Sequence, residues 1–312
     1  MGTFTLATDD PVLHDFAAEV DGDDPIEILG AGTRADVGGP VRADARPVTA
    51  PAGIVEHRPE EMLVTVRAGT TVAELHAELA AKGQRTGLPE RGGTVGGAVA
   101  VGQNCLERLG RGSVRDAVLQ VRFVTADGKL TTGGGPVVKN VSGFNVPKLM
   151  TGSVGTLGVI AEVILRTNPI PAASTWRRVS GVDPVELHAR LLRPSCVLWD
   201  GDTTWVHLEG HPGDVDHELG VIDALGPRAA AEVDGPPDLP AHRWALKPSI
   251  AVQPQKCSLP GPFVVSIGVG TSWADTPQPA RVRDHGALEV AKRMKRLFDP
   301  TGRLNPGRKP WI

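Results

Sequence analysis

Four segments of this chain, three of them rich in glycine and the other carrying a hydroxyl and a carboxylate three residues apart, could meet a ligand through main-chain N–H groups or polar side chains. They are Gly30-Ala31-Gly32-Thr33, Thr94-Val95-Gly96-Gly97, Ser113-Val114-Arg115-Asp116 and Gly155-Thr156-Leu157-Gly158-Val159-Ile160. Consecutive N–H groups in a glycine turn form a nest that solvates a phosphate-like anion, and the missing Cβ lets the ligand lie against bare main chain. Gly30-Ala31-Gly32-Thr33 follows the apolar run 25–29, which reads as a short buried strand. It is not the fingerprint of a doubly wound dinucleotide fold, because no helix is expected to start there and the acidic residue expected about 20 positions on is missing. Three cysteines, Cys105, Cys196 and Cys257, are an odd number without CxxC spacing. Neither a disulfide framework nor a metal or iron–sulfur site is expected.

Read together and in order, the four segments resemble the FAD-binding domain shared by the vanillyl-alcohol oxidase and para-cresol methylhydroxylase (PCMH) superfamily. Within it, residues 111–116, 138–145 and 149–153 look most like the E-type, FAD-binding subunit of glycolate oxidase, and Leu297-Phe298-Asp299-Pro300 with Leu304-Asn305-Pro306-Gly307 is similar to the closing motif of the same flavoproteins. The resemblance covers roughly residues 25–170 and the tail. It implies FAD, with Gly30, Ala31, Gly32 and Thr33 as one wall and Thr94, Val95, Gly96 and Gly97 as the facing wall, flanked by Pro89 and Gly102. Ser113 and Asp116 would orient the cofactor, and Gly155, Gly158, Val159 and Ile160 would carry a strand past it. Attachment is expected to be non-covalent. The first glycine loop has no His, and Gly102-Gln103-Asn104-Cys105-Leu106 does not match a tethering motif.

The implied reaction is oxidation of a small 2-hydroxy acid of the glycolate or D-lactate type. Such a substrate needs a cation for its carboxylate and a base near the C–H bond. Arg243, Lys247 and Lys256 are cations in the second domain; Arg243 falls roughly where the resembling subunit has an Arg before an apolar strand. His207, on the alternating run Trp205-Val206-His207-Leu208, is the expected base, and Asn305 is expected to approach the flavin. The resemblance implies as partners a second flavoprotein subunit and an iron–sulfur subunit, since this chain has no cluster ligands of its own. Two departures favour an alternative, a non-catalytic FAD-binding electron-relay or scaffold subunit. The family's Gly-Tyr-Asp is here Gly143-Phe144-Asn145, in a chain without Tyr, and the paired metal-binding histidines of the related D-type subunit are not visible.

The elements that must position these residues are legible in part. Strands are expected at 54–56, 62–67, 117–125 and 159–165, with Asp127-Gly128 turning the third into a return strand from 130. Thr71-Val72-Ala73-Glu74 is a capping box opening a helix that Gly83 closes; 145–150 and 288–298 also read as helices. Less regular text from 172 to 285 holds strand-like pieces at 196–199, 204–209 and 263–269. The architecture expected is therefore α+β: a PCMH-type FAD-binding domain of two α/β subdomains (1–171), a small antiparallel-sheet substrate or cap domain (172–285), and a C-terminal helix and tail (286–312) returning to the first. A net charge of −3 gives no global reason to expect nucleic acid. No run approaches the roughly 20 apolar residues that span a bilayer, and the start lacks a signal-peptide pattern. A cytoplasmic protein is expected, peripheral to the inner face of the membrane through its partners.

Overall fold

The computed structural model describes residues 10–90, 92–136, 144–225, 230–247, 259–279 and 284–309. The motif residues 138–143, Lys256 and Cys257 lie outside them. The chain divides into two units. One comprises Met1–Asn104, Ser113–Pro169 and Arg281–Ile312, the other Cys105–Gly112 and Ile170–Ala280. The fold is α+β, as the sequence implies.

In the first unit, α1 (Pro11–Val20) starts under the Asp10 carboxylate, which accepts from Val12 N–H, and buries Leu13, Phe16, Ala17 and Val20. The short strands β1 (Ile26–Ile28) and β2 (Arg46–Val48) run parallel. Then come β3 (Ile54–Arg58), β4 (Leu63–Arg67) and α2 (Val72–Ala80), whose capping box is formed reciprocally by Thr71 and Glu74. After β5 (Gln84–Arg85) the small-residue stretch coils into α3 (Val95–Val101), with Thr94 as N-cap and Gly102 as left-handed C-cap. The composition of this stretch carries no helical stripe, yet burying Val95, Ala98 and Val99 against the sheet stabilises the turn.

A short helix α4 (Arg108–Arg111) belongs to the second unit; α5 (Val114–Ala117) returns the chain to the first. There follow β6 (Val118–Val124), β7 (Leu130–Gly134), α6 (Val146–Met150), β8 (Val159–Arg166) and β9 (Asn168–Pro169), which pairs with β5. The main sheet is antiparallel throughout, in the order β3-β4-β8-β6-β7. Its faces fill two cores: α2 and α3 cover Val64, Val66, Val163 and Leu165, while α1 covers Val124, Val159 and Ala161.

The second unit holds β10 (Ala173–Ser180), α7 (Pro184–Arg190), β11 (Cys196–Trp199), β12 (Thr203–Gly210), α8 (Pro212–Leu225), β13 (Ala230–Val233), β14 (His242–Ala245), β15 (Phe263–Ser266) and β16 (Thr271–Ala274). They form one antiparallel sheet, β13-β10-β12-β11-β15-β16-β14. The strand expected at 263–269 stops at Ser266, because Gly268 and Gly270 both take left-handed φ of 77° and reverse the chain into β16. The last helix, α9 (His285–Phe298), and the tail belong to the first unit.

Candidate functional site: a main-chain cleft in the first unit

The tail 299–309 closes on β1 as an added rung. Ile26 N–H donates to the Arg303 carbonyl at 2.8 Å and Asn305 N–H to the Ile26 carbonyl at 2.9 Å. Asp299, fully buried, fixes the turn by accepting from the Arg303 and Leu304 N–H groups and from Lys295. Lys295 is itself held by the Thr156 and Leu304 carbonyls, and burial lowers the affinity of its amine for the proton. Asn305 is left-handed, φ 44°, and its amide bridges two walls: Oδ1 accepts from Ile28 N–H at 2.7 Å, and Nδ2 donates to the Val154 carbonyl at 2.8 Å. Val154 is also left-handed, φ 46°, which is costly for a β-branched residue.

These contacts frame an open cleft. One wall is 28–35, the loop leaving β1; another is the start of α3 with Ala68 and Gly69; a third is Val154, Gly155, Gly158 and Ile160; the tail adds Asn305 and Arg308. Gly96 is glycine because α3 sits directly on the chain after β4: a Cβ there would meet Ala68 Cβ at 2.7 Å. At Gly30 a Cβ would meet Thr94 Oγ1 at 2.6 Å, and at Gly155 it would meet Asn305 Nδ2 at 2.6 Å. Gly32 differs: its φ is 72° and a Cβ would have nothing within 4 Å, so its conformation alone selects glycine.

The cleft brings together Gly30, Ala31, Gly32, Thr33, Thr94, Gly96, Gly97, Gly155, Gly158, Ile160 and Asn305 of the expected residues. The others stand off its wall. Val95 and Val159 are wholly buried on the opposite side of their elements from the cleft-facing residues, packed in the two cores. Gly102 caps α3, and Pro89 is buried beyond β5. Ser113 caps α5 with its hydroxyl on the Asp116 carboxylate at 2.6 Å, and Asp116 pairs with Lys148 at 2.7 Å. The two arginines of the wall, Arg34 and Arg308, were missed by the sequence reading. Each directly follows a segment it did single out, so adjacency was the available signal.

In the second unit His207, on β12, is buried against the stacked Trp176 ring, centroids 4.4 Å apart, with Nε2 2.9 Å from the Ser174 hydroxyl. Glu209 accepts from Arg111 at 3.0 Å and from Ser195 at 2.8 Å, and Arg111 also faces Glu107 at 3.5 Å. Arg243, exposed on β14, lies 3.2 Å from the Thr271 hydroxyl; Lys247 is exposed. Burial and the Glu107 carboxylate push the Cys105 thiol up to about 12, and burial pushes Cys196 well above its usual range.

A family model described as an FAD binding domain matches residues 21–134. The backbone superposes on an alkyldihydroxyacetonephosphate synthase with a TM-score of 0.65, covering 90% of this chain and 72% of that one at 16% identity, which concerns the fold alone. The fold and the cleft thus define an FAD-dependent flavoprotein oxidoreductase with a PCMH-type FAD-binding domain. A D-lactate dehydrogenase of Archaeoglobus fulgidus is 40% identical over 76 residues, 24% of this chain and 17% of that protein. The glycolate oxidase subunit GlcE of Escherichia coli (strain K12) is 31% identical over 91% of this chain and 92% of its own length. This chain belongs to the GlcE family of glycolate oxidase subunits.

The residues present suit FAD. Among the described residues, none of the N–H groups of Gly30, Ala31, Gly32 and Thr33 donates to another protein group, leaving four main-chain donors on one wall. Among the described residues the lining includes two arginines and no carboxylate. That electrostatic balance fits a dianionic diphosphate, and the apolar remainder fits the ring systems of the cofactor.

Proposed function

We propose that this chain oxidises a small 2-hydroxy acid of the glycolate or D-lactate type, as the FAD-bearing subunit of a multi-subunit oxidase. The observation that carries the reading is the glycine-lined, carboxylate-free cleft in a chain collinear with GlcE. When bound, FAD supplies a hydride acceptor and passes the electrons onward. The chain's own residues would hold it: the N–H groups of 30–33 would serve the diphosphate, and Asn305 fixes the distance between the β1 and Val154 walls. Binding without a covalent link agrees with thiols held protonated at Cys105 and Cys196, since the thiolate is the nucleophile a cysteine tether would need.

In the second unit, the substrate or cap domain of this reading, Arg243 is an exposed guanidinium able to pair with a carboxylate. His207 is the titratable imidazole of β12, and its buried stacking on Trp176 ties any role as base to movement of that pair. The electrons would leave to a second flavoprotein and an iron–sulfur subunit, and the word "subunit" in the name of the GlcE relative supports an assembly of this kind. Among the described residues no helix is long and apolar enough to cross a membrane, so any membrane association is proposed to run through those partners.

Mixing the FAD-loaded chain anaerobically with glycolate and with D-lactate tests the reading. Loss of the oxidised-flavin absorbance with either acid is expected. Oxidised flavin persisting across a panel of 2-hydroxy acids would replace it with the relay or scaffold role, for which the loss of the family's Tyr and Asp at Phe144 and Asn145 speaks.

A further inference from the structure

Arg308 lies in the tail, beyond the closing motif, and its side chain is 91% buried where it lines the cleft. A buried guanidinium without an adequate counter-ion is costly, so its partners decide what it is for. They are few. Nη2 donates to the Ala35 carbonyl at 3.2 Å, and the facing carboxylate, Glu27, is 4.0 Å away. Nε is buried with no partner among the described residues. Among the described residues, nothing lining the cleft is negatively charged.

The tail is anchored so that this cation has little freedom to leave. Lys309 N–H donates to the Gly38 carbonyl at 2.8 Å, Arg42 N–H to the Pro306 carbonyl at 2.8 Å, and Arg308 N–H to the Asn305 carbonyl at 3.1 Å. Gly307, at φ 102°, passes so close to Pro40 that a Cβ would meet its carbonyl oxygen at 2.6 Å. The two side-chain hydrogen bonds of Asn305, with the main-chain hydrogen bonds of Asn305, Pro306, Arg308 and Lys309, thus hold an under-compensated positive charge at the edge of four main-chain N–H donors.

We propose that Arg308 is a cofactor-holding residue. Its guanidinium supplies the positive charge that pairs with the FAD diphosphate opposite the 30–33 turn, which makes the C-terminal tail a fourth wall of the site. The assignment rests on the FAD reading of the cleft. Arg34, on the 28–35 wall, has its Nη1 on the Thr33 hydroxyl and the Gly92 carbonyl, both at 3.0 Å, and braces the turn. The buried Nε of Arg308, without a partner among the described residues, remains to be satisfied by an anion. An arginine that served only the fold would stabilise the apoprotein. One placed for an anion should leave the apoprotein no less stable when it is neutralised, because a buried charge is relieved.

The test compares the flavin-free full chain as wild type, Arg308→Gln and Arg308→Lys, with FAD affinity measured by quenching of flavin fluorescence at low and high salt, and with apoprotein thermal midpoints. The expected result is a 10- to 100-fold weaker affinity for FAD in R308Q, a smaller loss in R308K, and weaker salt dependence in R308Q than in wild type, since an ion pair is screened and a neutral contact is not. The apoprotein midpoint of R308Q should equal or exceed that of wild type. Wild-type FAD affinity retained in R308Q overturns the assignment of Arg308 and leaves the flavoprotein reading intact. So does a fall in the R308Q apoprotein midpoint with R308K no better at binding than R308Q. A wild-type chain with no affinity for FAD would overturn the reading on which the assignment rests.

Discussion

At the scale of single residues, the glycines of the cleft are selected for different reasons, and their substitutions should separate accordingly. Gly96→Ala pushes a Cβ into Ala68 in the packed layer between α3 and β4. It should cost about 1–3 kcal/mol in a denaturant titration of the apoprotein, because overpacking strains a core that cannot relax. Gly32→Ala has open space around the new methyl but forces a left-handed alanine, about 1–2 kcal/mol. Its effect on FAD affinity should exceed its effect on apoprotein stability, since the main chain can escape the strain only by moving N–H groups off the cleft wall. Asn305→Ala removes the bridge between Ile28 and Val154 and leaves a buried N–H and carbonyl unpaired. A loss of about 2–4 kcal/mol is expected, read as a lowered denaturant midpoint with unchanged m. N305D should recover the Ile28 hydrogen bond but set a carboxylate against the Val154 carbonyl, and so remain weaker than wild type.

At the scale of elements, the main sheet carries a row of charge across three strands. Register places Glu162 of β8 beside both Arg67 of β4 and Arg122 of β6, and Arg67 in turn pairs with Asp10, the N-cap of α1, at 3.1 Å. Burial is the largest influence on Glu162 and raises its carboxyl above the ordinary 4.5, more than Arg122 pulls it back; Asp10 adds to the rise and Arg67 opposes it. The folded chain therefore keeps this proton to a higher pH than the unfolded chain does. Between 4.5 and the raised folded value the folded state binds more protons, so this group's contribution to stability falls as pH rises, and above that window its cost is constant. Denaturant midpoints of wild type and Glu162→Gln, compared from pH 4.5 to 7, should show that decline in wild type and its absence in E162Q. Identical slopes for the two proteins would mean that Arg122 compensates the buried carboxylate fully.

At the scale of the whole molecule, the described residues that line the cleft all belong to the first unit and come from six separated stretches of chain. Cofactor binding should therefore stabilise that unit as a whole. FAD at about 100 times its dissociation constant adds about 2.7 kcal/mol through mass action. In a thermal scan of the full chain the transition carrying the first unit should move up with FAD concentration, and ADP, which carries the same diphosphate, should move it in the same direction by less. A transition indifferent to both ligands would mean that the cleft is not where the cofactor binds.

Much of this was legible in the sequence, because it is local. The capping box at Thr71–Glu74, the strand pattern of β6, the apolar run of β8, the Asp-Gly turn after β6 and the order of the glycine turns are each written within a few residues. That order, joined to the tail motif, was enough to point to FAD. Tertiary structure alone decided which side of each segment faces the cleft. Val159 and Ile160 are adjacent and equally apolar, and only the pairing of β8 with β4 and β6 turns one to the α1 core and the other to the cleft. The same holds for α3, whose residues carry no helical stripe and coil only because a sheet face is there to bury them, and for α4, which sits among first-unit residues in the text but in the second unit in space. A lone Arg308 has no periodicity to betray it. Its meaning comes from long-range contacts that bury its charge beside main-chain donors far away in the chain, and such contacts are fixed by the register of paired segments, which no local window of sequence contains.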